Sequence, residues 1–507
     1  MPEPSSIVQV QRLGENHAIA AEGVREILAE AKSHGREKPA PAGPAVARIR
    51  GAWIQGELDL DAIAQDAGGL YLAGCKLDQP VTLRDAALSW LVIEQCVLPG
   101  VRADRATVGT LTVADSLVTG NYPGGTIRLD GARVAGDLRL DRTRVDNPGG
   151  PAIRATGLIA DAGLSMEAVD ARGTGPAGVV CLTRATVSGD LTMRGARLIA
   201  RSGPAFSAPN MTVKGAARLD QGFAATGTGE HGAVCLTGAD VAGELSLRGA
   251  SLANGSGPAL AADQITVTGS MSMKGSTWDG ALFSASGAAG RGTVQLSRAR
   301  IFGQLSLSGA VLTNGSGPAL VADQATVRGD ALLDGGFTAT GGGEQRAAVS
   351  LAGATIGRGL TCSGQAASRE PDAPGLDLGQ AKVGSLVLSA SFASVPEGGT
   401  PLNVDGLTYT ELPVLLSGNP PVQVPTDRQA REWISCLRHS AAYSAGAYRA
   451  LAAAFQRRGD DEAARHILAA QRDDDQVRGK HGGRGKARRP GVHRAPPAGG
   501  CPGTPGL

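Results

Sequence analysis

Aromatic residues are scarce: Phe, Trp and Tyr together make up 3% of 507 residues. Wide globular cores lean on such bulky side chains, so a series of ordinary domains fits this chain poorly. Long apolar runs are missing as well. No stretch of about 18 apolar residues occurs, as a membrane-spanning helix would need, and Trp90-Leu91-Val92-Ile93 is cut short by Glu94 and Gln95. The first residues, through Ala20, lack the apolar core of a secretory leader. Cysteine stands at 75, 96, 181, 235, 362, 436 and 501, with no CxxC or other metal-like spacing. An odd number of cysteines in a leaderless chain reads as free thiols. The expectation is a cytoplasmic protein without a bound metal or cofactor.

Charge of one sign is lacking too. The formal net charge is +2, and the stretch from Gln476 onward is basic without any acidic residue, which leaves the remainder slightly negative. A body so weakly charged neither attracts nucleic acid nor imitates it, so no nucleic-acid partner is expected.

What the chain has in abundance is glycine, at 74 residues, and an internal repeat. Four segments, 127–140, 180–193, 234–247 and 294–307, share apolar-x-Leu-x-x-Ala-x-(Val/Ile)-x-Gly-x-Leu-x-(Leu/Met). Their anchors are Gly136, Gly189, Gly243 and Gly303, and a weaker copy at 349–362 puts Arg358 in the Gly position. An early copy, IRGAWIQGELDL at 49–60, places the start of the array near residue 46. A second half repeats as Gly203-Pro204-Ala205, Gly257-Pro258-Ala259 and Gly317-Pro318-Ala319. A repeat unit of about 53–60 residues follows.

The spacing within a copy dictates geometry. Val234-x-Leu236, Ala239-x-Val241, Leu245-x-Leu247 and Ala250-x-Leu252 are pairs at i and i+2, each placing two side chains on one face of a short extended segment. Helical spacing is absent. Such pairs, recurring every five or six residues, describe a chain that turns a corner after each one. Four sides give a coil of roughly 20 residues, stacked at about 4.8 Å, hence on the order of 15 coils and a rod roughly 70–80 Å long. Glycine at the corners supplies backbone angles that other residues resist. The predicted fold is an all-β right-handed parallel β-solenoid with an N-terminal capping helix and a C-terminal α-helical hairpin.

The ends divide accordingly. Residues 1–45 form a helical cap and linker, because Ile19, Val24, Ile27, Leu28 and Ala31 keep helical spacing within 17–34. The solenoid spans 46–390, and 391–425 are an irregular linker. Thr426-x-x-Gln429 reads as a capping box opening a helix to about His439. Tyr448, Leu451, Ala452 and Phe455 mark the next helix, ended by Gly459, and Ala463, Ala464, Ile467 and Leu468 mark a third. The last two make a tetratricopeptide-like hairpin within 426–472. Residues 473–507 are Gly-, Pro- and Arg-rich and read as a disordered basic tail or an out-of-frame reading.

The Ala-x-Leu pairs Ala196-x-Leu198, Ala250-x-Leu252 and Ala310-x-Leu312 resemble those of pentapeptide-repeat and related right-handed β-helix proteins. Combined with Tyr448-x-x-Leu451-Ala452-x-x-Phe455 and Ala464-Arg465-x-Ile467-Leu468, the chain is similar to a group from high-GC bacteria commonly labelled "membrane-associated oxidoreductase". The resemblance covers residues 46–472. It implies an oxidoreductase label and membrane-peripheral relatives with a hydrophobic C-terminal segment. That segment has no counterpart after residue 472, which puts membrane association in doubt.

No residue is assigned to catalysis, cofactor binding or metal binding. Gly227-Thr228-Gly229-Glu230-His231-Gly232 matches a dinucleotide fingerprint, but it leads into a solenoid side rather than a helix. Cys181 and Cys235 occupy equivalent outward positions two or three coils apart, beyond disulfide reach. Asp263, Asp323, Asp190 and Asp330 are the candidates for a carboxylate pair of a carbohydrate-active β-helix, yet Asp263 and Asp323 recur with the repeat, as turn or ladder residues do. Asn210, Gln264 and Gln324 hold matching positions suited to an amide ladder. Asn254-Gly255-Ser256 and Asn314-Gly315-Ser316 read as turns, and the histidines at 17, 34, 231, 439, 466, 481 and 493 do not cluster. The expected function is a non-catalytic scaffold for an unidentified protein partner, compatible with homo-oligomers. An oxidoreductase and a carbohydrate-active enzyme are the alternatives.

Overall fold

The computed structural model describes residues 7–9, 18–25, 46–63, 67–343, 346–369, 373–389, 402–417, 422–440 and 443–482. The i, i+2 pairs build an all-β parallel solenoid of about 13 turns. Each coil in the repeat region has four sides. In one coil, side 1 is Val234–Cys235, side 2 Asp240–Val241, side 3 Leu245–Ser246 and side 4 Ser251–Asn254. Sides 2 and 3 belong to one 26-stranded sheet, whereas sides 1 and 4 each form a 14-stranded sheet. The inward members of the pairs, Val234 through Leu252, are at most 2% exposed. Backbone amides bond to the next coil, as in Leu236 N–H to Ala261 C=O at 2.7 Å and Leu296 N–H to Val321 C=O at 2.7 Å.

Coils are longer than the expected ~20 residues. Val180 pairs with Phe206, 26 residues on. The surplus lies between sides 4 and 1, where a Gly-Pro or Gly-rich loop crosses, so one 53–60-residue repeat holds two coils. Thirteen steps at about 4.8 Å give a rod of roughly 60 Å, shorter than expected. Only near the start does the coil shrink: Val81 pairs with Val101, 20 residues on. There the five-residue register runs without a break from Val81-x-Leu83 to Leu111-x-Val113.

The repeat glycines have a different job from the one expected. Gly189, Gly243 and Gly303 are not at positive φ. They lie where side 2 passes into side 3, and their amides bond to the glycine or alanine of the preceding coil, for example Gly243 N–H to Gly215 C=O at 2.8 Å. A Cβ on Gly243 would stand 2.7 Å from the Gly215 carbonyl oxygen. Close approach of backbones, not a left-handed turn, excludes a side chain. Arg358 replaces this glycine, and Thr355–Cys362 becomes one continuous strand with a register shift after Ile356.

A two-coil period needs a physical cause, and the corner before side 4 supplies one. Consecutive coils there place Ala196, Phe223, Ala250, Phe283, Ala310, Phe337 and Gly364, joined by bonds such as Ser251 N–H to Phe223 C=O and Ser284 N–H to Ala250 C=O, both 2.9 Å. All three phenylalanines are fully buried. Bulky and small residues alternate because a ring confined to one layer needs the space of its neighbours. The chain resumes the alternation at buried asparagines. Asn254 and Asn314, the sequon residues, donate their amides to the loop carbonyls of Pro258 and Pro318, at 2.8 and 2.5 Å. Their role as turn residues is thus structural, and Asn147 does the same with Pro151 at 2.6 Å.

The ends differ from the expected boundaries. Ala18–Ala20 is a strand pairing with Trp53–Gln55, so Ile19 belongs to a strand; residues 21–25 are helical, with Val24 fully buried. Ile27, Leu28 and Ala31 lie outside the described residues. Strand pairing continues past 390: Leu376 pairs with Leu402 and Val387 with Val414, within the stretch expected to be irregular.

Three helices follow: α1 (Thr426–Arg438), α2 (Ala445–Arg457) and α3 (Asp461–Gly482). Pro425 rather than Thr426 occupies the N-cap of α1, and it offers no side-chain cap. Gln429 instead is buried and donates to Val424 C=O at 3.0 Å, fastening α1 to the last coil. Ser444 caps α2, and its hydroxyl donates to Asp405 of the final coil at 2.7 Å. Gly459 takes φ +82° just after α2. Helix α3 runs beyond the expected boundary at 472. Asp474 explains why: it pairs with Arg438 at 3.2 Å and accepts the Tyr448 hydroxyl, tying α3 to both other helices. Residues 483–507 lie outside the described residues.

The alternating column makes a direct prediction. Ala310→Phe, placed between Phe283 and Phe337, is expected to destabilise the rod by about 1–3 kcal/mol, and Phe283→Ala by about 3–5 kcal/mol, in urea unfolding. A neutral Ala310→Phe would show that layer volume does not set the two-coil period. Asp474→Ala is expected to raise amide exchange in α3 while leaving the solenoid's exchange unchanged.

Candidate functional site

The four candidate carboxylates are all engaged between coils. Asp263 accepts the Ser297 N–H at 2.8 Å, and Asp323 accepts the Ser350 hydroxyl and the Ala352 N–H. Asp190 accepts the Ala216 N–H at 2.8 Å and pairs with Arg218 at 2.5 Å, while Asp330 accepts the Gly359 N–H at 2.9 Å. Each bond runs to the following coil, as expected of ladder elements. The Arg218 guanidinium, helped by the Ala216 N–H, lowers the pKa of Asp190 below the usual carboxylate value. Asp377 behaves oppositely: burial raises its carboxyl despite bonds from Gly379 and Asn403.

The expected amide ladder is absent from this column. Asn210, Gln264 and Gln324 are left-handed corner residues, with φ 54°, 59° and 57°. Gly238 and Arg298 take the same corner in the intervening coils, with φ 67° and 57°. Amides therefore stand two coils apart. Arg298 donates to Gln324 at 3.2 Å in place of an amide partner.

The Gly227–Gly232 motif joins a side-4 strand, Ala224–Gly227, to the side-1 strand Val234–Cys235. Two of its amides are used within the fold: Thr228 N–H bonds to Gly203 C=O at 2.9 Å, and Gly229 N–H to the Ser256 hydroxyl at 2.6 Å. A cleft of about 280 Å³ opens beside it, lined by Pro176, Ser202, Gly203, Pro204, Glu230 and His231.

Cys181 and Cys235 stand in the outward row of side 1, with Ser207 between them. Two coils separate them, about 10 Å, beyond disulfide reach. Both are buried in the outward row, at 4% and 8% exposure. The crossing loops overhang this row; a Cβ on Gly178 would lie 3.0 Å from the Ser207 Cβ.

A polar recess lies along the outside of side 3. Arg139, Ser165 and Thr192 form its floor in successive coils, beside Asp137 and Asp190, around a cleft of about 130 Å³. Farther along, Ser246 donates to Asp220 at 2.7 Å and Ser272 to Glu244 at 3.0 Å. Ser165 donates to Asp141 at 2.5 Å, and the Glu167 N–H donates to the same oxygen at 2.9 Å. Such a recess can hydrogen-bond a polar ligand. The Ser165, Ser246 and Ser272 hydroxyls donate to carboxylates, of which Asp141 also holds a backbone amide, and histidine is not among the residues lining the cleft. Among the described residues there is no group of three or more His, Cys, Asp or Glu that could hold a metal ion.

A feature the sequence reading passed over lies in the early coils. Cys75 and Cys96 are the predecessors of Ala196 and Phe223 in the corner column, and they are 2% and 1% exposed. The Cys75 N–H donates to the Cys96 sulfur at 3.3 Å. The Cys96 thiol also lies against the Cys75 sulfur, which lowers the pKa of Cys75 and raises that of Cys96. The signal available in the sequence was that each opens an i, i+2 pair, Cys75-x-Leu77 and Cys96-x-Leu98, one short coil of 21 residues apart. No family model, curated protein or solved structure matches the chain.

Opposite pKa shifts give opposite acid responses. The pKa of Asp190 is lowered by folding, so its stabilisation is present at neutral pH and lost as pH falls through the carboxylate range. That of Asp377 is raised, so stability is lost as pH rises through its folded value. Asp190→Asn is expected to lower the melting temperature at pH 7 and flatten its acid limb. Asp377→Asn should leave the pH 7 value equal or higher. Reversal of either sign in melts from pH 3 to 7 would contradict the bonding described.

Proposed function

We propose that the chain is a non-catalytic scaffold: a right-handed rod that offers a long surface to a protein partner, with α2 and α3 as a tetratricopeptide-like docking hairpin. Right-handedness follows the strong preference of parallel strand crossovers. The observation that carries the reading is the commitment of Asp190, Asp263, Asp323 and Asp330 to inter-coil bonds. A carboxylate that fastens one coil to the next is not free to shuttle protons. The oxidoreductase reading has the family resemblance alone in its favour, since the Gly227–Gly232 motif runs between two strands rather than into a helix N-terminus, and the Thr228 and Gly229 amides are bonded within the fold. No helix among the described residues is long and apolar enough to cross a membrane.

The test uses the full chain and exposed α2–α3 positions. Arg449 and Glu462 are both exposed. Quantitative affinity capture with the double variant Arg449→Glu, Glu462→Arg is expected to lose one stoichiometric protein partner at unchanged melting temperature. Stoichiometric flavin or nicotinamide co-purifying with the chain, and turning over, would overturn the scaffold reading.

A further inference from the structure

We propose that Cys75 and Cys96 form a two-coordinate site for a soft, linearly bound d10 cation, held between consecutive coils. The strands that follow them are in register, Lys76 with Val97, and the Val97 N–H bonds to the Cys75 carbonyl at 2.9 Å. The two side chains therefore enter the same corner one coil apart.

The spacing selects the chemistry. Directly registered residues on parallel strands keep their Cβ atoms about 4.8 Å apart. An unstrained disulfide wants about 3.8 Å, so joining the sulfurs directly would pull two coils together. Two metal–sulfur bonds of about 2.3 Å laid end to end span about 4.6 Å, close to the coil rise. Thiolates favour soft cations, and a corner with two sulfurs suits linear coordination rather than the four-ligand cage of a structural zinc.

The column itself argues that sulfur is not needed for folding. Ser116 and Thr143 are the next residues in it. The Ser116 hydroxyl takes the Cys96 N–H at 3.1 Å, the same service that the Cys96 sulfur performs for Cys75. Ala52, one coil earlier, is small and leaves room beside Cys75. A hydroxyl can do the backbone's work at this corner, yet two successive positions carry thiols.

Binding is an exchange without redox change. Each thiol releases its proton to solvent, two metal–sulfur bonds form, and no electron is transferred. With a divalent cation such as Hg(II) the product is a neutral bis-thiolate, whereas Ag(I) or Cu(I) leaves one negative charge in an apolar core. Hg(II) is therefore the tighter probe and Ag(I) the weaker.

The experiment titrates the reduced full-length chain with Hg(II) against an excess of a competing monothiol, which strips cations held by single cysteines. Native mass spectrometry is expected to retain one Hg(II), and X-ray absorption to give two sulfur neighbours at about 2.3 Å. Cys75→Ser and Cys96→Ser should each weaken retention about 100-fold or more, the loss of a chelate partner, and Cys181→Ser should not. Serine is already the natural occupant one coil on, so both variants are expected to melt like the parent, which separates loss of the site from loss of the fold. Retention unchanged in Cys75→Ser and Cys96→Ser, no retention by the parent chain, or a Cys75–Cys96 disulfide in the protein isolated without reductant would each overturn the proposal.

Discussion

Stacking at a coil rise of about 4.8 Å governs this molecule. Each residue in the rod meets its own equivalents above and below, so any side chain that exceeds its layer must be answered by a smaller one next to it. Phe223, Phe283 and Phe337 are answered by Ala196, Ala250, Ala310 and Gly364, and the glycines between sides 2 and 3 let the backbones close up. The 53–60-residue repeat is the outward sign of this volume rule. Scarcity of aromatic residues follows from it, since a narrow core has room for rings only in alternate layers.

The same constraint consumes the polar residues. Carboxylates near the corners accept amides or guanidinium groups from the following coil, and the left-handed corners themselves are paired: Arg105 with Asp85 and Arg142 with Asp115, each through two bonds of 2.6–2.7 Å. These pairs are exposed, and each adds little by itself. Repeated along the rod, they hold residues at positive φ that would otherwise favour glycine. A surface whose charges are used for stacking presents shape to a partner more readily than reactive groups to a substrate.

The solenoid and its four sides were legible in the sequence because i, i+2 apolar pairs leave little geometric choice. Coil length was not, since the Gly-Pro loops carry no apolar rhythm and were counted as corners. The outer boundaries were misjudged for a related reason. Strands of two or three residues such as Leu402–Asn403 and Ala18–Ala20 are too short to show a period, and only pairing with a neighbour identifies them. Asp474 read as the start of a tail because its partners Arg438 and Tyr448 are distant in sequence. At the candidate sites, recurrence correctly marked Asp263 and Asp323 as ladder residues. The thiol pair escaped notice because its spacing is set by the shorter early coils rather than by the repeat.

The most direct test of coil stacking is a distance along one side. Thr186, Thr212, Asp240, Thr266, Arg300 and Thr326 occupy successive outward positions of side 2. Spin labels at Thr186 and Thr326 should lie about 24 Å apart, and moving the second label to Thr266 should shorten the distance by about 10 Å. A separation that does not fall in such steps would contradict a rod built of registered coils.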